Sequence, residues 1–226
     1  MSPAEAEAVR LSVKVALVGT LVSLPPAIAV ALALARGRFW GRALLNAFVH
    51  LPLVLPPVVS GYVLLRLFGR HGAIGQWLGD HLGLVFAFRW TGAALAAAVM
   101  GFPLMVRAIR LAIEHVDHRL EDAAATLGAN VWWTWLTITL PLALPGILAG
   151  AIIAFAKALG EFGATIMFVS NIPGETQTLA LAIFSLIETP GAEAAVLRLV
   201  WLSIAVSFVA LLASEYLAQR VSRSRA

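Results

Sequence analysis

The amino-acid sequence predicts an all-α, polytopic membrane protein. Hydrophobic residues make up 61% of the 226 positions and charged residues 12%, whereas a soluble domain carries about a quarter charged residues. Mean hydropathy is +0.90, and apolar runs repeatedly exceed the roughly 20 residues that cross a bilayer as helix. Strands are excluded from such runs because an isolated strand leaves its backbone unsatisfied in lipid. No low-complexity linker or solenoid repeat divides the chain, so residues 1–226 read as a single transmembrane domain.

About five spans follow from the hydrophobic pattern, with six as the alternative count. The first runs from about Leu11 to Ala35 and holds Pro25-Pro26, which should kink it by removing backbone hydrogen bonds. A cleaved leader is not expected: Glu5 and Glu7 stand where a basic segment would, and the apolar run is too long. Arg36, Arg38 and Arg42 follow in a short polar loop. The second span is Leu51 to Leu67, opening with Pro52, Pro56 and Pro57, so that 43–50 reads as a separate interfacial turn. Residues 69–90 read as a Gly-rich loop with His71, His81, Trp77 and Trp90, suited to the interface where Trp is enriched.

The third span, Thr91 to Ile113, is uncharged until Arg107. A long polar connection, 114–140, contains a helix whose Glu121, Ala124, Ala125 and Gly128 recur at i, i+3, i+4 and i+7. Small side chains on one face let another surface approach closely, as a docking helix requires. The fourth span, Pro145 to Phe168, is interrupted at Gly160 and Gly163; residues 169–194 form an outer loop with a short helix, Leu179–Ile187. The fifth, Val196 to Leu217, ends in a basic tail of Arg220, Arg223 and Arg225.

Basic residues set the orientation. With the N-terminus outside, nine lie inside (Arg36, Arg38, Arg42, Arg107, Arg110, Arg119, Arg220, Arg223, Arg225). Six lie outside (Arg10, Lys14, Arg66, Arg70, Arg89, Arg198), a modest positive-inside bias that places 114–140 in the cytosol and the C-terminus with it. A formal charge of +4 does not signal nucleic acid, because Lys and Arg flank the spans, where lipid headgroups lie. With no Cys, disulfides and thiolate chemistry are excluded.

Residues 121–141, EDAAATLGANVWWTWLTITLP, carry the most specific signal. Asp122-Ala123-Ala124, then Gly128, then Ile138, Leu140 and a terminating Pro141 resemble the EAA motif of bacterial ABC importer permeases. Asp122 holds the place of the motif's Glu, with Glu121 just before it, and the Gly-to-Pro spacing fits without a gap. The resemblance implies an importer permease fold with a cytosolic coupling helix that docks on an ATPase subunit. The competing reading is an ordinary polar loop. Trp132, Trp133 and Trp135 fit an interfacial belt better than an aromatic ligand box.

A second stretch, GEFGATIMFVSNIPGETQT (160–178), resembles molybdate importer permeases, as does LPLVLPPVVSGYVLL (51–65). The resemblance extends from about Val13 to Glu215. Sulfate and tungstate permeases share the Gly-Glu-Phe-Gly-like core, and Asn171 to Thr176 point to the molybdate branch. What it implies is a homodimer, a separate ABC ATPase that binds ATP and Mg, and a periplasmic or extracellular oxyanion-binding protein. No cofactor is implied in this chain, which would work by alternating access in the bacterial cytoplasmic (inner) membrane. Consistently, no G-x-x-x-x-G-K-[ST] run is present to bind ATP here.

Lys157 and Glu161 stand four apart on one helical face, and charges in a membrane either pair or line a water-filled path. They read as an ion pair holding the helix near the outer interface, or, with Gly160, Gly163, Ser170 and Asn171, as a translocation lining. A membrane enzyme would need an acid, base or nucleophile set, and Lys157 and Glu161 have no His, Ser or metal partner at sensible spacing. An ion channel would leave the docking helix unexplained. His115 and His118, with Glu114 and Asp117, read as solvated polar residues rather than a metal site, which normally needs three or four ligands in fixed geometry.

Overall fold

The computed structural model describes the backbone of residues 2–223 and, in the last helix, side chains as far as Ala213 together with Tyr216. Arg225 and the side chains of Arg220 and Arg223 lie outside the described residues. The described chain is helical, with α1 (Pro3–Arg36), α2 (Arg42–Val54), α3 (Pro57–Phe68), α4 (Ala73–Leu82), α5 (Trp90–Glu114) and α6 (His118–Thr126) in its first part. After these come α7 (Val131–Thr134), a π-turn (Trp135–Thr139), α8 (Leu140–Leu159), α9 (Gly163–Val169), α10 (Leu179–Ile187) and α11 (Glu193–Arg223). Among the described residues, four stretches are long and apolar enough to cross a membrane: Pro3–Arg36, Trp90–Glu114, Val131–Leu159 and Glu193–Ala213; the bent pair α2–α3 makes a fifth if taken as one span.

At 34 residues, α1 measures about 51 Å at 1.5 Å per residue, longer than the roughly 30 Å hydrocarbon core. Its start is fixed by a reciprocal cap: Ser2 Oγ accepts from Glu5 N at 3.2 Å, and Ser2 N donates to a Glu5 carboxylate oxygen at 2.7 Å. The helix runs through Pro25-Pro26 as one element. Its buried positions include Ala8, Ser12, Ala16, Gly19, Ser23, Ala27 and Ala31, a stripe of small residues spaced three or four apart. α5 answers with Ala93, Ala94, Ala96, Ala97 and Gly101. At Gly19 a Cβ would sit 2.8 Å from the Ala94 carbonyl oxygen, so the backbones touch, as helix packing in lipid favours. Small residues also join α5 to α8, where Gly150 lies against Met105 and Ala108.

The second span departs from expectation. Residues 43–50 are helical within α2, and the chain bends by 114° between α2 and α3. Leu55 (φ −71°, ψ 142°) and Pro56 (φ −53°, ψ 133°) are extended at the break, because each precedes a proline whose ring disfavours the α conformation before it. The 69–90 region is likewise no plain loop: it holds α4, where Trp77 stacks on His81 with centroids 5.1 Å apart.

Pro141 does not terminate anything. The helix continues from Val131 to Leu159, so the fourth span begins well before Pro145. Pro141 lacks an N–H and its ring crowds the carbonyl four residues back; the turn before it widens to a π-turn, with Leu140 N bonded to the Trp135 carbonyl. α10 forms at Leu179–Ile187, the range the sequence suggests.

The bundle has two ends. At one, Ala8, Leu179, Ala182 and Leu199 cluster, joining α1, α10 and α11. There Ser12 Oγ, itself donating to the Ala8 carbonyl at 2.8 Å, accepts the Leu179 N–H at 2.7 Å and caps α10 from α1. Lys14 lies over the Trp90 ring at 3.4 Å toward the same end. At the other end, Leu34, Ile109, Ile113, Ala143 and Val49 pack together beneath α6.

Candidate functional site

α6 is held on the bundle rather than in it. None of its nine residues is buried. Asp117 caps its start, accepting from Arg119 N at 2.9 Å. At its end Gly128 takes φ +85°, with its N–H on the Ala125 carbonyl and Ala129 N on the Ala124 carbonyl, the left-handed ending for which glycine is suited. Gly128 therefore stands beyond the helix, not on the face inferred from the i, i+7 spacing. A Cβ there would meet nothing of this chain within 4 Å.

The orientation of α6 also differs from expectation. Asp122 and Ala123 are exposed with Ala125 and Thr126, while Glu121 and Ala124 turn partly inward. Leu127 and Val131, 89% and 84% exposed, extend the outward surface, with Trp132 and Trp133 beside them. Ile138, Leu140 and Pro141 are half-buried in the π-turn and the foot of α8, so they shape the support of α6 rather than its outer surface.

Glu121 is bonded on three sides. One carboxylate oxygen accepts from Thr139 Oγ1 at 2.7 Å and from Arg36 Nη2 at 3.1 Å; the other lies 3.4 Å from His118 Nδ1. Arg36 Nη2 also donates to the Val116 carbonyl at 3.0 Å, and Nη1 meets His118 Nε2 at 2.7 Å. Because a guninidinium only donates, that contact requires Nε2 to accept, which places the His118 proton on Nδ1, facing Glu121. Sequence reasoning had assigned Arg36 only to a basic loop and had missed Thr139. The two are 85 and 18 residues from Glu121, so no local spacing announces them.

The second candidate region lies at the α8–α9 break. Lys157 Nζ donates to a Glu161 oxygen at 2.6 Å, and the other Glu161 oxygen accepts from Ala164 N at 3.0 Å, at the first turn of α9. Glu161 is 3% exposed, whereas the Lys157 side chain keeps 34% exposure. The pair is thus a built element, with its cationic end reaching the surface. Gly163 packs on Pro57, and Gly61 on the Ala164 backbone and Met167 Cβ, so α3 and α9 approach closely. Gly160 ends α8 in open space.

Ser170 and Asn171 lie in the turn between α9 and α10. Ser170 has φ +64°, and its carbonyl accepts from the buried Thr176 Oγ1 at 3.1 Å, which in turn accepts from Ile172 N at 2.9 Å. Asn171 Nδ2 donates to the Leu181 carbonyl at 3.3 Å and to Ser185 Oγ. His115 Nδ1 donates to the Leu111 carbonyl at 2.7 Å. Among the described residues, no three His, Asp or Glu side chains are grouped to hold a metal ion.

Residues 27–223 match the family model of the binding-protein-dependent transport system inner membrane component. The molybdenum transport system permease protein ModB of Escherichia coli K12 is 60% identical over 98% of this chain and 96% of its own length. ModB of Haemophilus influenzae is 55% identical over 97% and 96%. A sulfate transport system permease protein, CysW of Synechococcus elongatus, is 36% identical over 78% of this chain and 62% of its own. Among solved structures, a bacterial ABC transporter importing the acidic polysaccharide alginate contains a chain similar in fold, with TM-score 0.76 at 17% identity, covering 97% of this chain and 80% of that one.

Proposed function

The chain belongs to the binding-protein-dependent transport system inner membrane components, and we propose that it is the permease subunit of an importer that carries molybdate. It is a multi-pass protein of the inner membrane and a transporter subunit rather than an enzyme, with ATP hydrolysis carried by a separate ATPase subunit. One observation carries the substrate: identity to molybdenum permeases is 60% over nearly the whole of both chains, against 36% over a shorter alignment for the sulfate relative. Molybdate, tungstate and sulfate are tetrahedral dianions of similar size, so the assignment rests on this difference in identity.

In this reading α6 and its exposed continuation, Leu127 and Val131, form the surface that meets the ATPase; ATP and Mg are bound there, on the partner. Two copies of the chain form the pathway between them, and an external binding protein delivers the oxyanion to the end where α1, α10 and α11 meet. That end faces outside, which puts the N-terminus out and α6 in the cytosol. ATP binding shifts the equilibrium toward an outward-open state, and hydrolysis resets it. Lys157 faces the path, held by Glu161, and offsets part of the cost of moving a dianion through a low-dielectric region. Gly160 and Gly163 give the α8–α9 break its shape. Uptake of molybdate, tungstate and sulfate into vesicles holding the permease, ATPase and binding protein tests the assignment. Uptake of sulfate in preference to molybdate would reject it.

A further inference from the structure

We propose that Glu121 acts as the positioning residue of coupling: it ties α6 to the end of α1 and to the foot of α8, and so passes movement of α6 to two spans. The proposal rests on the reading of α6 as the ATPase-facing element and deepens it, because the resemblance alone would place Glu121 on the docking surface.

The first argument is what α6 lacks. It buries no residue, so apolar packing contributes little to its placement. It hangs between two short connections, residues 115–117 and 127–130. A nine-residue helix held only by such connections would rock without moving the spans.

The second argument is what replaces packing. Arg36, the last residue of α1, and Thr139, the last of the π-turn, both donate to one oxygen of Glu121. Arg36 and Glu121 keep only 17% and 21% side-chain exposure, and Thr139 keeps 1%. Charge-assisted hydrogen bonds shielded to this degree are stronger than surface pairs. Arg36 also grips the chain before α6 through the Val116 carbonyl and the helix itself through His118. Two elements distant in sequence, α1 and the π-turn, thus converge on one carboxylate of α6. From the foot so gripped, α8 runs without interruption to Lys157, near its far end.

The π-turn adds a reason for Thr139 to be the contact. Its i+5 bonding is a local widening of the helix, and such single-turn π-bulges recur at functional sites. A pull on Thr139 therefore acts at the widened turn that leads into α8.

The test uses permease, ATPase and binding protein reconstituted in vesicles. The readout is oxyanion taken up per ATP hydrolysed, with ATPase retention measured on the same preparations. Glu121→Ala and Arg36→Ala should each lower the ratio about tenfold, the size expected for losing charge-assisted hydrogen bonds. Thr139→Val, nearly isosteric, should lower it several-fold while the ATPase stays bound. Glu121→Gln, which still accepts from Thr139, should fall less than Glu121→Ala. An unchanged ratio in Thr139→Val and Glu121→Ala would overturn the proposal, as would loss of uptake that tracks loss of bound ATPase, since that is the signature of a docking residue. Each ratio is taken against wild type with whichever oxyanion wild type imports, so failure of the molybdate assignment is distinguishable from failure of this one.

Discussion

Replacing Gly128 separates two physical reasons for a glycine at the end of α6. Its φ of +85° is costly for any residue with a Cβ, about 1–2 kcal/mol for the left-handed region, and less for Asn, which visits that region readily. Space is not the issue within this chain, since a Cβ would meet no atom within 4 Å. Gly128→Ala and Gly128→Leu should therefore disturb the purified permease equally, by about 1–2 kcal/mol, a 5- to 30-fold shift of roughly that size in the population with α6 correctly ended. Gly128→Asn should stay near wild type. The assay is retention of the ATPase subunit on purified permease, followed by substrate-stimulated hydrolysis. Ala behaving like Gly would refute the backbone argument. Asn as damaging as Leu would show that the position needs emptiness against a partner surface rather than a particular φ.

Lys157→Met leaves the buried Glu161 without its cation and should lower assembly; adding Glu161→Gln should restore assembly while oxyanion uptake stays slow, and restoration of both would leave the pair as a purely stabilising contact. Gly61→Ala should destabilise the permease, because its Cβ would lie 2.5 Å from the Ala164 carbonyl oxygen and 2.9 Å from Ala164 Cα; overpacking of this kind costs about 1–3 kcal/mol, read as a lower midpoint in detergent melting, and an unchanged midpoint would contradict a rigid α3–α9 contact. The chain has no native Cys, so single cysteines at Ala129 and Gly174 should be labelled from opposite sides of the membrane, Ala129 from the cytosol; labelling of both from one side would reject the two-ended arrangement.

The sequence by itself determined the class, the approximate spans and the family. Hydropathy reports burial in lipid directly, and motifs such as Asp122-Ala123-Ala124 or Gly160-Glu161-Phe162-Gly163 are local and can be read in order. The small-residue stripe of α1, Ala8 to Ala31, also stands in the sequence as a three-to-four spacing, but the surrounding apolar run hides its period. Prolines divided the record. At Leu55-Pro56-Pro57 the chain breaks by 114°, at Pro25-Pro26 it does not, and at Pro141 the helix widens and continues. A proline only withholds a backbone N–H and crowds the preceding turn, while its neighbours in space decide whether the helix survives. Only the tertiary structure decided which way α6 faces, because the spacing that groups Glu121 with Gly128 presumes a helix long enough to hold both, and this one stops at Thr126. It also decided the company Glu121 keeps: Arg36 and Thr139 reach it only once α1 and α8 are packed side by side, and no periodicity along the chain encodes a contact across 85 residues.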